Sequence, residues 1–217
     1  METTRTELAI VQRVIDNKYN CIDANGKLLL DEWYDWVSDF YGEVAIVIRT
    51  NGDCNFINKK GKILSEQWFE WVDDFNDGFA RAKRVDGKYN LIDTQGKFIL
   101  DKWYEWIGDF YNEVALVGRE NHEYNFIDKN GKLLLNDWFK WVEYFKDGFA
   151  RVQRFDDTMN FINNEGKIIS NEWFKYVDYF NKDGFARVQR KDSKWNFINK
   201  DGKIISEQWF KSVEDFQ

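Results

Sequence analysis

The stretch KWNFINKDGKIISEQWFKSVEDF, residues 194–216, decides the fold, because closely similar stretches occur five more times upstream. Two columns set the rhythm, a glycine followed by lysine and a tryptophan seven residues later. The spacing is 35 residues, except for a last step of 36 caused by an extra residue in FNKDGFA. Such a fixed period predicts an array of tandem repeats. The columns are Gly26, Gly61, Gly96, Gly131, Gly166 and Gly202, and Trp33, Trp68, Trp103, Trp138, Trp173 and Trp209.

Each unit begins with two β signals. The first is a strand-like run such as VAIVIR or FARVQR. The second has the form aromatic-Asn-apolar-Ile-[Asp/Asn]-x-x-Gly-Lys, as in YNLIDTQGK at 89–97. Asp or Asn favours the start of a type I turn, and glycine takes the positive φ three residues later. The pattern therefore predicts a hairpin in every unit.

The third part of each unit, DEWYDWVSDF at 31–40 in the first, is ambiguous. Trp33, Trp36, Val37 and Phe40 match the i, i+3, i+4, i+7 template of a helix. The aromatic content also suits an extended segment. We favour a helical turn or two, with N-caps at Asp31, Ser65, Asp101 and Ser170.

An unbroken asparagine column precedes each hairpin. Asparagine is the non-glycine residue that best tolerates the left-handed backbone region. The column therefore predicts a kink or bulge at Asn20, Asn55, Asn90, Asn125, Asn160 and Asn196.

The order of motifs in DGFARVQRKDSKWNFINKDGKII resembles the bacterial WG repeat, and the resemblance covers essentially the whole chain. The Trp-Gly dipeptide of that family appears here as aromatic-Asn, for example at Trp195-Asn196. The resemblance implies a β-rich tandem array used for binding or display, without shared catalytic residues. Asparagine in place of glycine fits a positive-φ site, so the implied fold survives the departure.

We therefore expect one repeat domain over 1–217, a solenoid-like stack of six units of about 35 residues. Alternate units are alike, because GEVAIVIR matches NEVALVGR and DGFARAKR matches DGFARVQR. A further column reads Trp36, Trp71, Trp106, Trp141, Tyr176, Ser212, and its polar last member favours an open array over a closed propeller-like ring. The units are 7–42, 43–77, 78–112, 113–147, 148–183 and 184–217.

The composition argues against several classes of function. A net charge of −7 disfavours nucleic acid and anionic membrane surfaces as partners. The sequence has no signal peptide and no apolar span, which predicts a cytoplasmic protein. His122 is the only histidine, and IDANGK lacks the later ligands of a calcium loop. We expect no enzyme activity, no cofactor and no metal, with Cys21 a buried thiol and Cys54 partly exposed.

Two columns are candidate binding residues. The arginines would suit an acidic partner, or else form salt bridges within each unit, for example to Asp39, Asp74, Asp109 or Asp215. The tryptophans would stack on sugars, or else pack between units, in which case alanine at Trp71 and Trp106 unfolds the protein. Another protein is the expected partner and a glycan the alternative. The columns are Arg13, Arg49, Arg84, Arg119, Arg154 and Arg190, and Trp36, Trp71, Trp106 and Trp141.

Overall fold

The computed structural model describes residues 7–214, and every regular element within them is a β-strand. Each repeat contributes two strands of five or six residues, and the first five repeats also contribute one strand of two residues. The strands are β1 Leu8–Gln12, β2 Tyr19–Asp23, β3 Trp36–Val37, β4 Val44–Ile48, β5 Cys54–Asn58, β6 Trp71–Val72, β7 Phe79–Lys83, β8 Tyr89–Asp93, β9 Trp106–Ile107, β10 Val114–Arg119, β11 Glu123–Asp128, β12 Trp141–Val142, β13 Phe149–Gln153, β14 Met159–Asn163, β15 Tyr176–Val177, β16 Phe185–Gln189 and β17 Trp195–Asn199.

The strands form small antiparallel sheets that follow one another along the chain. β1 and β2 make a two-stranded sheet, and each later sheet has three strands in chain order, from β3-β4-β5 to β15-β16-β17. The short strand of each sheet comes from the preceding sequence unit: Trp71 and Val72 pair with Lys83 and Ala82. The sheets are therefore offset from the sequence units, and the prediction of a β-rich tandem array is confirmed.

The predicted helical turns are wrong. The segment 27–37 is extended and pairs twice, first with the strand before it and then with the sheet after it. Tyr34 exchanges backbone hydrogen bonds of 2.7 and 3.0 Å with Tyr19, and Trp36–Val37 then joins β4. The helix-like spacing arises because the chain bends at Asp35, between the two pairings, so that Tyr34 and Val37 are both buried although they are three residues apart. Ser65, expected as an N-cap, accepts instead the local backbone N–H of Gln67 at 3.2 Å.

The asparagine column was also misread, because none of its members has a positive φ. Asn160, typical of the six, lies in β14 with its side chain fully buried. Its amide nitrogen donates to the carbonyls of Ser170 and Glu172 at 2.8 and 2.9 Å, and its Oδ1 accepts from the backbone N–H of Phe161 at 2.8 Å. The side chain therefore takes the place of backbone pairing where the extended segment leaves the strand.

The predicted Asp-x-x-Gly hairpins are confirmed. In the first, the N–H of Gly26 donates to the carbonyl of Asp23 at 2.9 Å, and Gly26 has a φ of +79°. Asp23 Oδ1 also accepts from the backbone of Asn25 and Lys27, each at 2.9 Å. The carboxylate thereby satisfies turn N–H groups that would otherwise need water.

The chain divides into two compact units, Met1–Glu105 and Trp106–Gln217. Fully buried phenylalanines fill both, including Phe56 and Phe69 in the first and Phe126 and Phe139 in the second. Cys21 is a buried core thiol as predicted, but Cys54 is buried as well, since it faces the core from β5. The described residues form no helix that could cross a lipid bilayer.

Candidate functional site

The tryptophan column at the start of each short strand is half exposed. The side chains of Trp36, Trp71, Trp106 and Trp141 are 37–42% exposed, whereas the next residue in each case is at most 7% exposed. The column continues at Tyr176, which is 40% exposed, and at exposed Ser212. The backbone here joins consecutive repeats, while the aromatic ring remains available at the surface.

A different tryptophan column packs between consecutive repeats. Its members follow the Gly-Lys turn, and Trp68, Trp103, Trp173 and Trp209 each lie against a buried aromatic residue of the repeat before them. Trp68 lies over Tyr34 with the ring centroids 6.2 Å apart, and Trp173 lies over Phe139 at 6.1 Å. Sequence reasoning considered only the half-exposed column for this packing; the conserved seven-residue spacing from the glycine was the available signal.

The arginine column stacks on these inter-repeat tryptophans. In all six repeats the guanidinium carbon lies over an indole, a cation–π arrangement. The arginines are 30–47% exposed, so the planar faces are held while the edges reach solvent. The distances from Cζ to the ring centroid are 4.5 Å for Arg13 over Trp33, 3.4 Å for Arg49 over Trp68, 4.3 Å for Arg84 over Trp103, 4.2 Å for Arg119 over Trp138, 3.6 Å for Arg154 over Trp173 and 3.8 Å for Arg190 over Trp209.

The arginines also have carboxylate neighbours, but not the expected ones. Arg13 pairs with Asp16 in place of Asp39, and Arg49 faces Glu32 in place of Asp74. Asp215, another expected partner, lies outside the described residues. The side-chain hydrogen bond from Arg13 lowers the pKa of Asp16 to about 2. The acidic partners lie in the loop after the arginine or in the extended segment of the preceding repeat, except Glu123, which begins β11.

A groove of about 540 Å³ opens beside the first two arginines of the column. Three cations line it, Arg13, Lys18 and Arg49, together with the carboxylates Asp16 and Glu32. Trp33, Thr50 and Asn51 complete the lining. Lys18 Nζ donates to Thr50 Oγ1 at 2.6 Å and lies 3.4 Å from an oxygen of Asp35. The groove can receive a polar group of opposite charge.

A second set of ion pairs is restricted to some repeats and was missed in the sequence. Arg151 pairs with Glu143 at 2.6 Å, and both are largely buried. Burial raises the pKa of Glu143, but hydrogen bonds from Arg151 and Tyr179 outweigh it and hold the pKa below its usual value. In the preceding repeat, the positions of Arg151 and Glu143 are occupied by Leu116 and Gly108, which are joined by a backbone hydrogen bond. The signal was the alternation of FARVQR with VALVGR, read with the residue eight positions upstream.

The described part of the chain contains no assembled metal site, and its two cysteine thiols are not activated. No group of three or more His, Cys, Asp or Glu residues between 7 and 214 is placed to hold a metal ion. Burial raises the pKa of the Cys21 thiol to about 11 and also raises that of Cys54. Both thiols are therefore protonated and poor nucleophiles at neutral pH.

Comparison with known proteins supports the repeat. A family model described as "WG containing repeat" matches residues 56–89, 91–121, 126–157 and 161–195. No curated protein matches the chain.

Among solved structures, the computationally designed Ika8 protein is similar at 14% identity and a TM-score of 0.35, over 93% of this chain and 73% of that one. BamB from Moraxella catarrhalis is 13% identical with a TM-score of 0.34, over 92% and 69%. Hsv2p from Kluyveromyces lactis is 9% identical with a TM-score of 0.34, over 88% and 70%. At these scores the likenesses say nothing about function.

Proposed function

Because the chain belongs to the WG-repeat family, we propose that it is a non-catalytic binding protein that presents its repeated aromatic and arginine side chains to another protein. One observation carries the proposal: a large aromatic residue is 37–42% exposed at the same position of five consecutive repeats. Protein interfaces are enriched in tryptophan, tyrosine and arginine, and these residues supply most of the binding energy.

The absence of catalysis belongs to the same proposal. The exposed aromatic residues and the stacked arginines recur from repeat to repeat, whereas an active site needs one asymmetric set of groups. A repeated surface suits a partner that lies along several repeats, because many modest contacts then add up. We also propose that the protein acts in the cytoplasm of a bacterium.

The experiment is capture of partners from a lysate of the native source by the wild type and by a Trp71→Ser, Trp141→Ser double variant. Serine is the residue at this position in the last repeat, where it is exposed, and the buried valine after each replaced tryptophan is kept. Trp106 is left intact because its indole packs on Gly108, where a Cβ would lie 2.7 Å from Cη2. Phe155→Ser is the control, since Phe155 is 55% exposed but lies outside the column.

We expect a stoichiometric protein partner with the wild type and the control, and at least a tenfold loss with the double variant, whose thermal unfolding stays cooperative. Capture in 0.5 M salt separates an electrostatic contribution from an aromatic one. Equal capture by all three proteins would contradict the proposal.

A glycan-binding function is the alternative, favoured by the same half-exposed indoles, since sugars stack on flat aromatic faces. Iodide quenching of tryptophan fluorescence distinguishes the two. If an oligosaccharide protects the tryptophan fluorescence of the wild type from iodide, but not that of the double variant, glycan binding is favoured over protein binding.

A further inference from the structure

The six stacked arginines are not equivalent in their hydrogen bonding. Four of them donate side-chain hydrogen bonds to carboxylates, on Asp16, Asp86, Glu123 and Glu172. Within residues 7–214, Arg49 and Arg154 donate none from their guanidinium groups; the carboxylate oxygens of Glu32 and Asp137 lie 3.8 Å from their Nη2 atoms. This distance is beyond a hydrogen bond.

The same two arginines are the most tightly stacked. Their Cζ atoms lie 3.4 and 3.6 Å from the centroids of Trp68 and Trp173, the two shortest distances in the column. Stacking occupies the face of a guanidinium and leaves its N–H edge available. A fork that is already oriented loses less conformational entropy when it binds a planar carboxylate.

The surroundings single out Arg49. It lines the groove of about 540 Å³ with Arg13, Lys18 and Trp33. Arg154 is followed instead by the exposed apolar side chain of Phe155. Arg49 thus combines an N–H edge that makes no hydrogen bond with a groove and with two neighbouring cations.

We propose that the groove at Arg49 binds a glutamate or aspartate side chain of a protein partner, with the carboxylate on the guanidinium edge of Arg49. The proposal rests on the protein-binding function above. Arg13 is hydrogen-bonded to Asp16 and Lys18 lies 3.4 Å from Asp35, whereas the nearest carboxylate oxygen to Arg49 is 3.8 Å away, so Arg49 is the cation of the groove least engaged by a carboxylate. Asp16 and Glu32 would repel a phosphate dianion about twice as strongly as a single carboxylate, and they would attract a lysine beside the acidic residue of the partner.

The test is an NMR titration of the full chain with the peptide acetyl-Gly-Glu-Lys-Glu-Gly-amide, observing arginine Nε–H and indole N–H signals. The peptide with glutamine in place of both glutamates is one control, and tripolyphosphate is another. Arg49→Gln is compared with Arg84→Gln, because Arg84 also stacks on an indole in the same compact unit but is hydrogen-bonded to Asp86.

We expect saturable shifts at Arg49 with a Kd of about 1 mM, no saturation with the glutamine peptide, and binding at least tenfold weaker in Arg49→Gln but within twofold of wild type in Arg84→Gln. Tighter binding of tripolyphosphate, equal binding by Arg49→Gln, or no saturation at 20 mM peptide (taken as roughly twenty times the expected Kd) would each overturn the assignment. The two proposals can fail separately. If a protein partner is captured equally by the wild type and by Arg49→Gln, the protein-binding function is kept and only the carboxylate site at Arg49 is ruled out.

Discussion

At the scale of single residues, the buried asparagines do what a backbone would otherwise have to do. Asn160 is completely buried, yet its amide and its Oδ1 all have partners. An unpaired polar group in such a place costs about 1–3 kcal/mol. An amide is the one neutral side chain that both donates two hydrogen bonds and accepts others. The column therefore needs asparagine for its amide and not for its backbone freedom.

The isosteric change Asn160→Asp tests this role. The carboxylate cannot donate to the carbonyls of Ser170 and Glu172, so we expect the free energy of unfolding to fall by about 3 kcal/mol. Urea denaturation followed by tryptophan fluorescence gives the value. Asn164→Asp makes the same chemical change at an exposed turn position and should cost less than about 0.5 kcal/mol. Similar losses in both variants would show that added charge, and not the amide, is responsible.

At the scale of elements, the Gly-Lys turn of one repeat rests on the backbone of the repeat before it. A Cβ at Gly61 would lie 2.3 Å from the carbonyl oxygen of Leu29, and Gly96 meets Leu64 in the same way. A Cβ at Gly26 would meet nothing within 4 Å. The glycine thus serves the turn and, at Gly61, Gly96, Gly166 and Gly202, also the close approach of two repeats.

Gly26→Ala and Gly61→Ala separate the two requirements, because their φ angles are +79° and +78°. We expect about 1 kcal/mol of destabilisation at Gly26, from backbone strain alone. At Gly61 we expect about 3 kcal/mol, since overpacking against Leu29 adds to the strain. Thermal and urea unfolding of the two variants measure the difference. Equal losses would mean that the turn of Gly61 moves away from Leu29 without cost.

Much of this could be predicted from the sequence, for reasons that differ between elements. The strands and the turn at Asp23 follow from local chemistry repeated six times. The segment around Trp36 could not be assigned, because a bend between two short pairings gave the buried residues the spacing of a helix. Asn160 was misread because its partners lie ten and twelve residues away, beyond any local rule. The pairing of Arg151 with Glu143 could be seen in the sequence only by comparing repeats, because the preceding repeat has Leu116 and Gly108 at the same two positions.

At the scale of the whole molecule, the carboxylates make stability depend on pH. Hydrogen bonds, from the side chain of Arg13 to Asp16 and from the side chain of Thr158 to Asp156, lower the pKa of both acids to about 2. Hydrogen bonds also hold the pKa of Asp23, Asp86 and Asp192 below the usual range. A lowered pKa means that the folded state binds the proton less readily than the unfolded chain. The stabilisation is therefore complete above about pH 4 and lost as the pH falls toward 2.

We accordingly expect the urea midpoint of unfolding to be level between pH 7 and 5 and to fall steadily from about pH 4 to pH 2.5. The protonated carboxylates also leave the repulsion among 31 lysines and arginines unbalanced. An Asp16→Asn, Asp156→Asn variant separates the contributions, because it should start from a lower midpoint and lose less of it on acidification. A midpoint that rises toward pH 2.5 would contradict the assignment.

The offset between sheets and sequence units has an evolutionary consequence. A step of 35 residues carries the chain from any position to the same position in the next sheet, wherever the step begins. Unequal crossing-over between two copies in the gene would then add or delete one complete sheet, at any breakpoint, without breaking a strand pairing. The single 36-residue step places its extra residue in the turn 181–185, where the hydrogen bond from Asn181 to Phe185 closes a longer loop than that from Asn76 to Phe79. The number of repeats can thus change during evolution while the pairing register of every remaining strand stays the same.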